Sequence, residues 1–181
     1  MKKYELTDET IDVSGTTLHR IKALKDFGNV KKGELGGYVE SERNLSQEGN
    51  CWVCGNAKVC GDAELCGDAK VCGNAWVFGN AKVCGDAKVY GNAWVYGNAE
   101  VCGNAEVYGD ADYITIKGLG SKYRNTTIFR TKENIAVKCG CFYGTLAEFV
   151  DKVKETHGNS KFTKEYLALI DLVKIHFELE E

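Results

Sequence analysis

The sequence predicts a mainly β fold organised around a β-solenoid, and three observations carry that expectation. First, a hexad reading (Val/Leu)-x-Gly-(Asn/Asp)-Ala-x runs from Gly49 to Asp112, with Val53, Val59, Leu65, Val71, Val77, Val83, Val89, Val95, Val101 and Val107 six apart. A fixed short period of this kind is the signature of stacked repeats, one strand and one turn per unit. Second, rare residues recur at 18 rather than 6: Trp76 and Trp94, Tyr90 and Tyr108, Phe78 and Tyr96, Cys54 and Cys72, and the series Cys66, Cys84, Cys102. That echo predicts a triangular coil of three hexads, with residues 18 apart stacked at the β-spacing of about 4.8 Å. Third, the chain has no proline, which suits strands whose N–H groups all bond the next coil.

Each part of the hexad has a physical role. In Ala-x-Val-x, alternation sends Ala and Val inward and the x residues outward. Gly-(Asn/Asp) supplies residues tolerant of positive φ at the corner. Ala beside the corner is small because three corners converge on a narrow interior.

The elements are then expected in the following order. Residues 1–35 form an N-terminal cap, with strands at Tyr4–Leu6 and Thr17–Leu24 covering an otherwise open coil edge. Residues 36–112 form the solenoid, about four coils beginning near Gly36. Val39 and Leu45 keep the six-residue step, and the eight residues from Leu45 to Val53 place an insertion at a corner. Residues 113–181 form a ββ-αα subdomain, with strands at Tyr113–Lys117, Thr126–Thr131 and Ile135–Cys139 and a turn at Gly118–Ser121. Thr145-Leu-Ala-Glu148 is a capping box opening a helix that ends at His157. A second helix runs from Phe162 to Glu178; its apolar stripe is broad enough to predict packing on two surfaces.

Composition narrows the classes of function. A net charge of -3 on 181 residues argues against long nucleic acid as a partner. The absence of an apolar N-terminal run or long apolar segment predicts a soluble, cytoplasmic protein without membrane contact. Six of the nine cysteines occupy one column of the repeat, where Phe and Tyr replace them, so cysteine is expected as a reduced, small apolar residue. Cys51-x-x-Cys54 and Cys139-Gly-Cys141 lack a matching second pair, and no metal is expected.

The outward columns differ. The column after Ala is mostly charged, whereas the column after Val/Leu (Cys54, Cys60, Cys66, Cys72, Phe78, Cys84, Tyr90, Tyr96, Cys102, Tyr108) carries no charge. Either these side chains stack on one another under neighbouring charged stems, or they form a subunit interface. Charge elsewhere concentrates between Ile114 and Lys138, with six basic residues and one acid, Glu133. Gly120, Ser121, Lys122 and Arg124 in the turn, with Thr127, Arg130 and Lys132 on the next strand, read as an anion or phosphate site. Trp76 and Trp94, or Tyr90 and Tyr108, could stack a nucleobase beside it. A solvated hairpin with ordinary surface cations is the plainer alternative.

The hexad resembles the left-handed parallel β-helix of the hexapeptide-repeat superfamily. The whole chain resembles phage- and prophage-encoded members often labelled transferases or polymer-forming proteins. That likeness rests on Leu18-His-Arg-Ile-Lys-Ala-Leu-Lys-Asp-Phe27, Gly33-Glu-Leu-Gly-Gly-Tyr-Val39, Phe129-Arg-Thr-Lys132, Cys139-Gly-Cys-Phe142 and Glu155-Thr-His-Gly158. It implies a homotrimer with sites at subunit boundaries. Acyltransferases of the superfamily use a histidine base beside the coils, and its carbonic anhydrases place three histidines there for zinc. This chain has only His19, His157 and His176, none in the repeat, so neither chemistry is expected of the coils. Outward Thr ladders of the ice-binding kind and nine-residue calcium repeats are also missing from the solenoid. The expected function is therefore non-enzymatic: a trimeric, cofactor-free binding protein that sequesters a small anionic ligand, such as a nucleotide immune signal. The alternatives are an acyltransferase-like enzyme using His157 or His19, and a purely structural or assembly protein.

Overall fold

The computed structural model describes residues 1–179 and divides into two compact units, Met1–Asp110 and Ala111–Glu181. The first begins with an antiparallel hairpin, β1 (Tyr4–Val13) and β2 (Thr16–Ala23), followed by β3 (Leu35–Val39). Ten two-residue strands come next: β4 (Trp52–Val53), β5 (Lys58–Val59), β6 (Glu64–Leu65), β7 (Lys70–Val71), β8 (Trp76–Val77), β9 (Lys82–Val83), β10 (Lys88–Val89), β11 (Trp94–Val95), β12 (Glu100–Val101) and β13 (Glu106–Val107). Each of β4 to β10 pairs in parallel with the strand three positions on, and β3 pairs with β5, so three sheets wrap one core: β3-β5-β8-β11, β4-β7-β10-β13 and β6-β9-β12. Leu45 bridges Leu65 in parallel and extends the third sheet by one rung. The result is a mainly β solenoid of about four triangular coils.

The 18-residue echo appears directly in the register, for example Trp94↔Trp76 and Val89↔Val71. Every repeat Ala from Ala57 to Ala105 and every repeat Val is fully buried, and the ladder bonds run coil to coil, as in Lys58 N to Ala75 O at 2.9 Å. The corner needs glycine for two reasons, seen at Gly67. Its φ is +68°, and a Cβ there would lie 3.0 Å from the backbone nitrogen of Gly85 in the next coil.

The cap departs from the expectation in length. β1 continues through Thr7–Val13, and the hairpin closes at Ser14 and Gly15, both with positive φ. Only Ile11 and Val13 are apolar in that extension and none of its residues is buried, so its alternation is too short to reveal a strand. The cap core joins Tyr4, Phe27 and Trp52 edge to face, at 6.4 and 5.3 Å between ring centroids. Lys3 is buried beside them, its ammonium donating to the carbonyls of Glu48, Gly49 and Cys51 and lying 3.2 Å from Cys51 Sγ.

One cysteine pair also departs from the expectation of reduced thiols. Cys54 and Cys72 are joined as a disulfide, because in-register stacking brings their Cα atoms to 4.6 Å, inside the range a disulfide spans.

The second unit is an antiparallel meander, β14 (Tyr113–Leu119), β15 (Arg124–Arg130), β16 (Ile135–Cys139) and β17 (Phe142–Thr145), followed by α1 (Leu146–His157) and α2 (Lys161–His176). β17 has no counterpart in the sequence expectation; four residues including Gly144 give too short a pattern to read. The capping box is formed: Thr145 Oγ1 accepts from the Glu148 N–H while Glu148 accepts from the Thr145 N–H. The core gathers Ile128, Val137, Phe149, Tyr166, Ile170 and Val173. Helix α2 covers one of its two apolar sides in this way and leaves Leu172 and Ile175 exposed. Among the described residues no helix is long and apolar enough to cross a membrane.

Candidate functional site

Within the C-terminal unit, two β-turns and residues of both helices line a cleft of about 260 Å³. The β14–β15 turn contributes Ser121 and Lys122, and Arg124 opens β15. Gly120 holds the turn in place. Its φ is +70°, its N–H donates to Glu165 Oε2 at 3.1 Å, and any side chain there would run into the Tyr166 hydroxyl. The β16–β17 turn contributes Cys139, Cys141 and Phe142 around Gly140. At φ +60°, a Cβ on Gly140 would collide with the Arg124 guanidinium, so the cation lies directly over this turn. Helix α1 adds Lys152, Thr156 and His157, and α2 adds Tyr166.

The floor of the cleft is apolar and buried (Phe149, Val153, Tyr166, Cys139), and its rim is cationic. Lys152 is held by Glu155 at 2.8 Å; among the described residues no carboxylate pairs with Lys122 or Arg124. The floor also holds a small polar network. Thr126 Oγ1 donates to Cys139 Sγ at 3.2 Å, Cys139 Sγ lies 3.8 Å from the Tyr166 hydroxyl, and that hydroxyl donates to Leu119 O at 3.3 Å. Burial, with the Cys139 thiol beside it, pushes the Tyr166 phenol up to about 12, so it stays neutral at any ordinary pH. The His157 ring lies nearly parallel to the Tyr166 ring, 6.0 Å between centroids. A guanidinium without a carboxylate partner among the described residues, a nearby lysine and an apolar, aromatic floor suit an anionic group attached to an apolar body.

The structure therefore divides the predicted basic site. Ser121, Lys122 and Arg124 share the cleft with Gly120 supporting them from behind. Arg130 and Lys132 line a separate, wider depression of about 520 Å³. There Arg130 Nε pairs with Asp112 at 3.1 Å and its guanidinium lies 5.1 Å over the Phe177 ring. Six steps along extended strand separate the two arginines, about 20 Å. Thr127 is fully buried, with its hydroxyl 3.3 Å from that of Thr115.

The aromatic candidates lie on the solenoid, on two different faces. Trp76 and Trp94, 5.2 Å apart, share the β5-β8-β11 face with Phe78 and Tyr96. Tyr90 and Tyr108 stack at 5.7 Å on the β4-β7-β10-β13 face, beside the Lys88–Glu106 pair. Lys152, Cys141 and Phe142 are not among the residues the sequence predicts for the site, and His157 enters that reading only as the base of the acyltransferase-like alternative. A signal for Cys141 and Phe142 existed, since Cys139–Phe142 is one of the segments that carry the family resemblance.

No family model matches the chain. A stretch of 61 residues is 39% identical to the uncharacterized acetyltransferase YdcK of Escherichia coli (strain K12), covering 29% of this chain. The chain spans 19% of that relative's length. The β-solenoid and this partial similarity fit a hexapeptide-repeat β-helix protein.

Proposed function

We propose that the protein binds a small anionic ligand without transforming it, in the cleft between the Lys122–Arg124 turn, the Gly140 turn and helix α1. The observation that carries this reading is the Arg124 guanidinium, seated over Gly140 above an apolar floor and without an acidic partner among the described residues. A nucleotide meets the requirement, its phosphates facing Lys122, Arg124 and Lys152 and its base or sugar facing Phe142 and Phe149. Sequestration by a trimer is the finer part of the proposal. It rests on the uncharged outer column, whose Trp94-flanked end leaves Tyr96 49% exposed on a single chain; sedimentation as a monomer would sink it.

Calorimetry with adenosine triphosphate and with pyrophosphate tests the cleft. Arg124→Ala is expected to weaken binding at least tenfold, the loss of a charge-assisted bidentate contact, while Arg130→Ala leaves it unchanged. Equal losses in both variants would refute this placement.

A second reading is favoured by the acetyltransferase-named relative. In an acyltransferase-like enzyme His157, in the same cleft, is the residue with general-base chemistry. Incubation with acetyl-coenzyme A and primary amines separates the two: His157→Gln abolishes turnover if the chain is an enzyme, and no turnover occurs if it is a binder.

A further inference from the structure

The solenoid segregates its thiols by face. Cys60 alone is on the β5-β8-β11 face, Cys54 and Cys72 are on the β4-β7-β10-β13 face, and Cys66, Cys84 and Cys102 are on the β6-β9-β12 face. These last three follow Leu65, Val83 and Val101, whose backbones pair in parallel register, Leu65↔Val83 and Val83↔Val101. The ladder bonds Cys66 N to Val83 O at 3.1 Å and Cys84 N to Val101 O at 3.0 Å continue that register through the cysteines. Each thiol therefore sits one coil above the next, and the Cys66 and Cys84 thiols are hydrogen-bonded. The same stacking on the adjacent face has joined Cys54 to Cys72. Exposure is graded along the trio: Cys66 is open, Cys84 half-buried and Cys102 8% exposed. Among the described residues no group of three His, Cys, Asp or Glu is arranged to share one metal ion, so pairwise sulfur chemistry is what the column offers.

We propose that Cys66, Cys84 and Cys102 form a thiol–disulfide exchange site that accepts a low-molecular-weight disulfide at Cys66 and passes the oxidation inward along the column. The Cys66 thiolate attacks one sulfur of the small disulfide RSSR, forming Cys66–S–SR and releasing one RS⁻, which takes up the proton Cys66 lost. The Cys84 thiolate then attacks Cys66 Sγ, forming Cys66–Cys84 and releasing the second thiol, so RSSR is reduced by two electrons and the pair oxidised by two. Attack of Cys102 on Cys84 Sγ moves the bond to Cys84–Cys102 and returns Cys66 as a free thiol. Cys84 can bond only one neighbour at a time, which makes it the transfer point.

The test uses the full chain carrying Cys60→Ser, treated with oxidised glutathione, alkylated without reduction and digested with trypsin. Burial, Cys84, Cys51 and Glu64 push the Cys66 thiol up, and Lys82 pairs with Glu64 beside it, so mildly alkaline buffer is used. Peptide Val59–Lys70 carries Cys66, Val83–Lys88 carries Cys84 and Val89–Lys117 carries Cys102, so each bond gives a distinct linked pair in the mass spectrum. The expected order is Val59–Lys70 linked to Val83–Lys88, then Val83–Lys88 linked to Val89–Lys117. Cys84→Ser should stop at glutathionylated Cys66, and Cys66→Ser should suppress the Cys84–Cys102 link; circular dichroism checks that both variants fold. A glutathione adduct persisting on Cys66 in the parent, Cys84–Cys102 forming equally fast without Cys66, or no linked peptide at all would each overturn the proposal.

Discussion

In the solenoid one backbone repeats, and its buried Val and Ala occupy equivalent positions in coil after coil; in Ala111–Glu181 four strands and two helices of unequal length enclose a core of Ile128, Val137, Phe149, Tyr166 and Val173. The difference shows at the surface. A repeating backbone presents ladders, in which a residue's neighbour is nearly always its own equivalent 18 residues away, such as Tyr90 on Tyr108 or Asn50 on Asp68. Ladders of this kind make strips, and strips suit extended contacts. The aperiodic unit brings unlike residues together: a turn cation, a second turn's cysteine and phenylalanine, a helix histidine and a buried phenol meet in one cleft. Converging, dissimilar groups of that kind are what a small ligand requires, which is why the scaffold and the candidate site fall in different units.

The largest test of this contrast is a pair of core truncations. Leu65→Ala and Leu169→Ala each remove a buried leucine, 1% and 5% exposed, at a cost of about 2–5 kcal/mol. Leu65 is expected at the upper end, because coils held above and below cannot close over the cavity, whereas a helix can shift. Chemical denaturation measures both; a smaller loss for Leu65 would break the comparison.

Corner glycines sharpen it at lower cost. Gly67 and Gly97 have nearly the same φ, +68° and +69°, but an added Cβ meets the next coil only at Gly67 and nothing within 4 Å at Gly97. Gly97→Ala should cost about 1–2 kcal/mol for the left-handed conformation alone, and Gly67→Ala clearly more. Equal losses in thermal unfolding would mean that inter-coil contact contributes nothing at the corner.

The smallest effect is shared by both units. Burial raises the Tyr4 phenol in the cap and the Tyr166 phenol in the cleft floor, the latter from 10.0 to about 12. Between those values the folded state holds a proton that the unfolded state has released. Stability is then full below pH 10 and falls as pH rises toward 12. Tyr166→Phe should flatten part of that alkaline decline in a melting-temperature series; an unchanged slope would show that the hydroxyl is not buried in this way.

The same contrast explains what could be read from the sequence. Val71, Val89 and Val107 announce the solenoid because period, burial and register are one pattern, and Trp76 over Trp94 follows from it. The Thr7–Val13 extension and β17 stayed hidden for want of a buried face or sufficient length. At the site, Lys122 and Arg124 were legible as charges in a glycine turn, but their companions were not. Arg130 is near in sequence and lies in another depression, whereas Lys152 and His157 arrive from a helix about thirty residues later and meet Arg124 only through tertiary packing. The free-thiol expectation failed at Cys54 and Cys72 although the 18-residue echo had already stacked them: it was drawn from the column's polarity, and stacking brings their Cα atoms to 4.6 Å, close enough to bond.

The most direct test of the central claim is mass spectrometry of the small molecules released when the purified protein is denatured, compared with those from an Arg124→Ala, Lys122→Ala double variant. The expected result is an anionic compound released chemically unaltered from the parent protein and depleted in the variant. Release of the same compounds in equal amounts from both proteins, or of an acylated product, would contradict it.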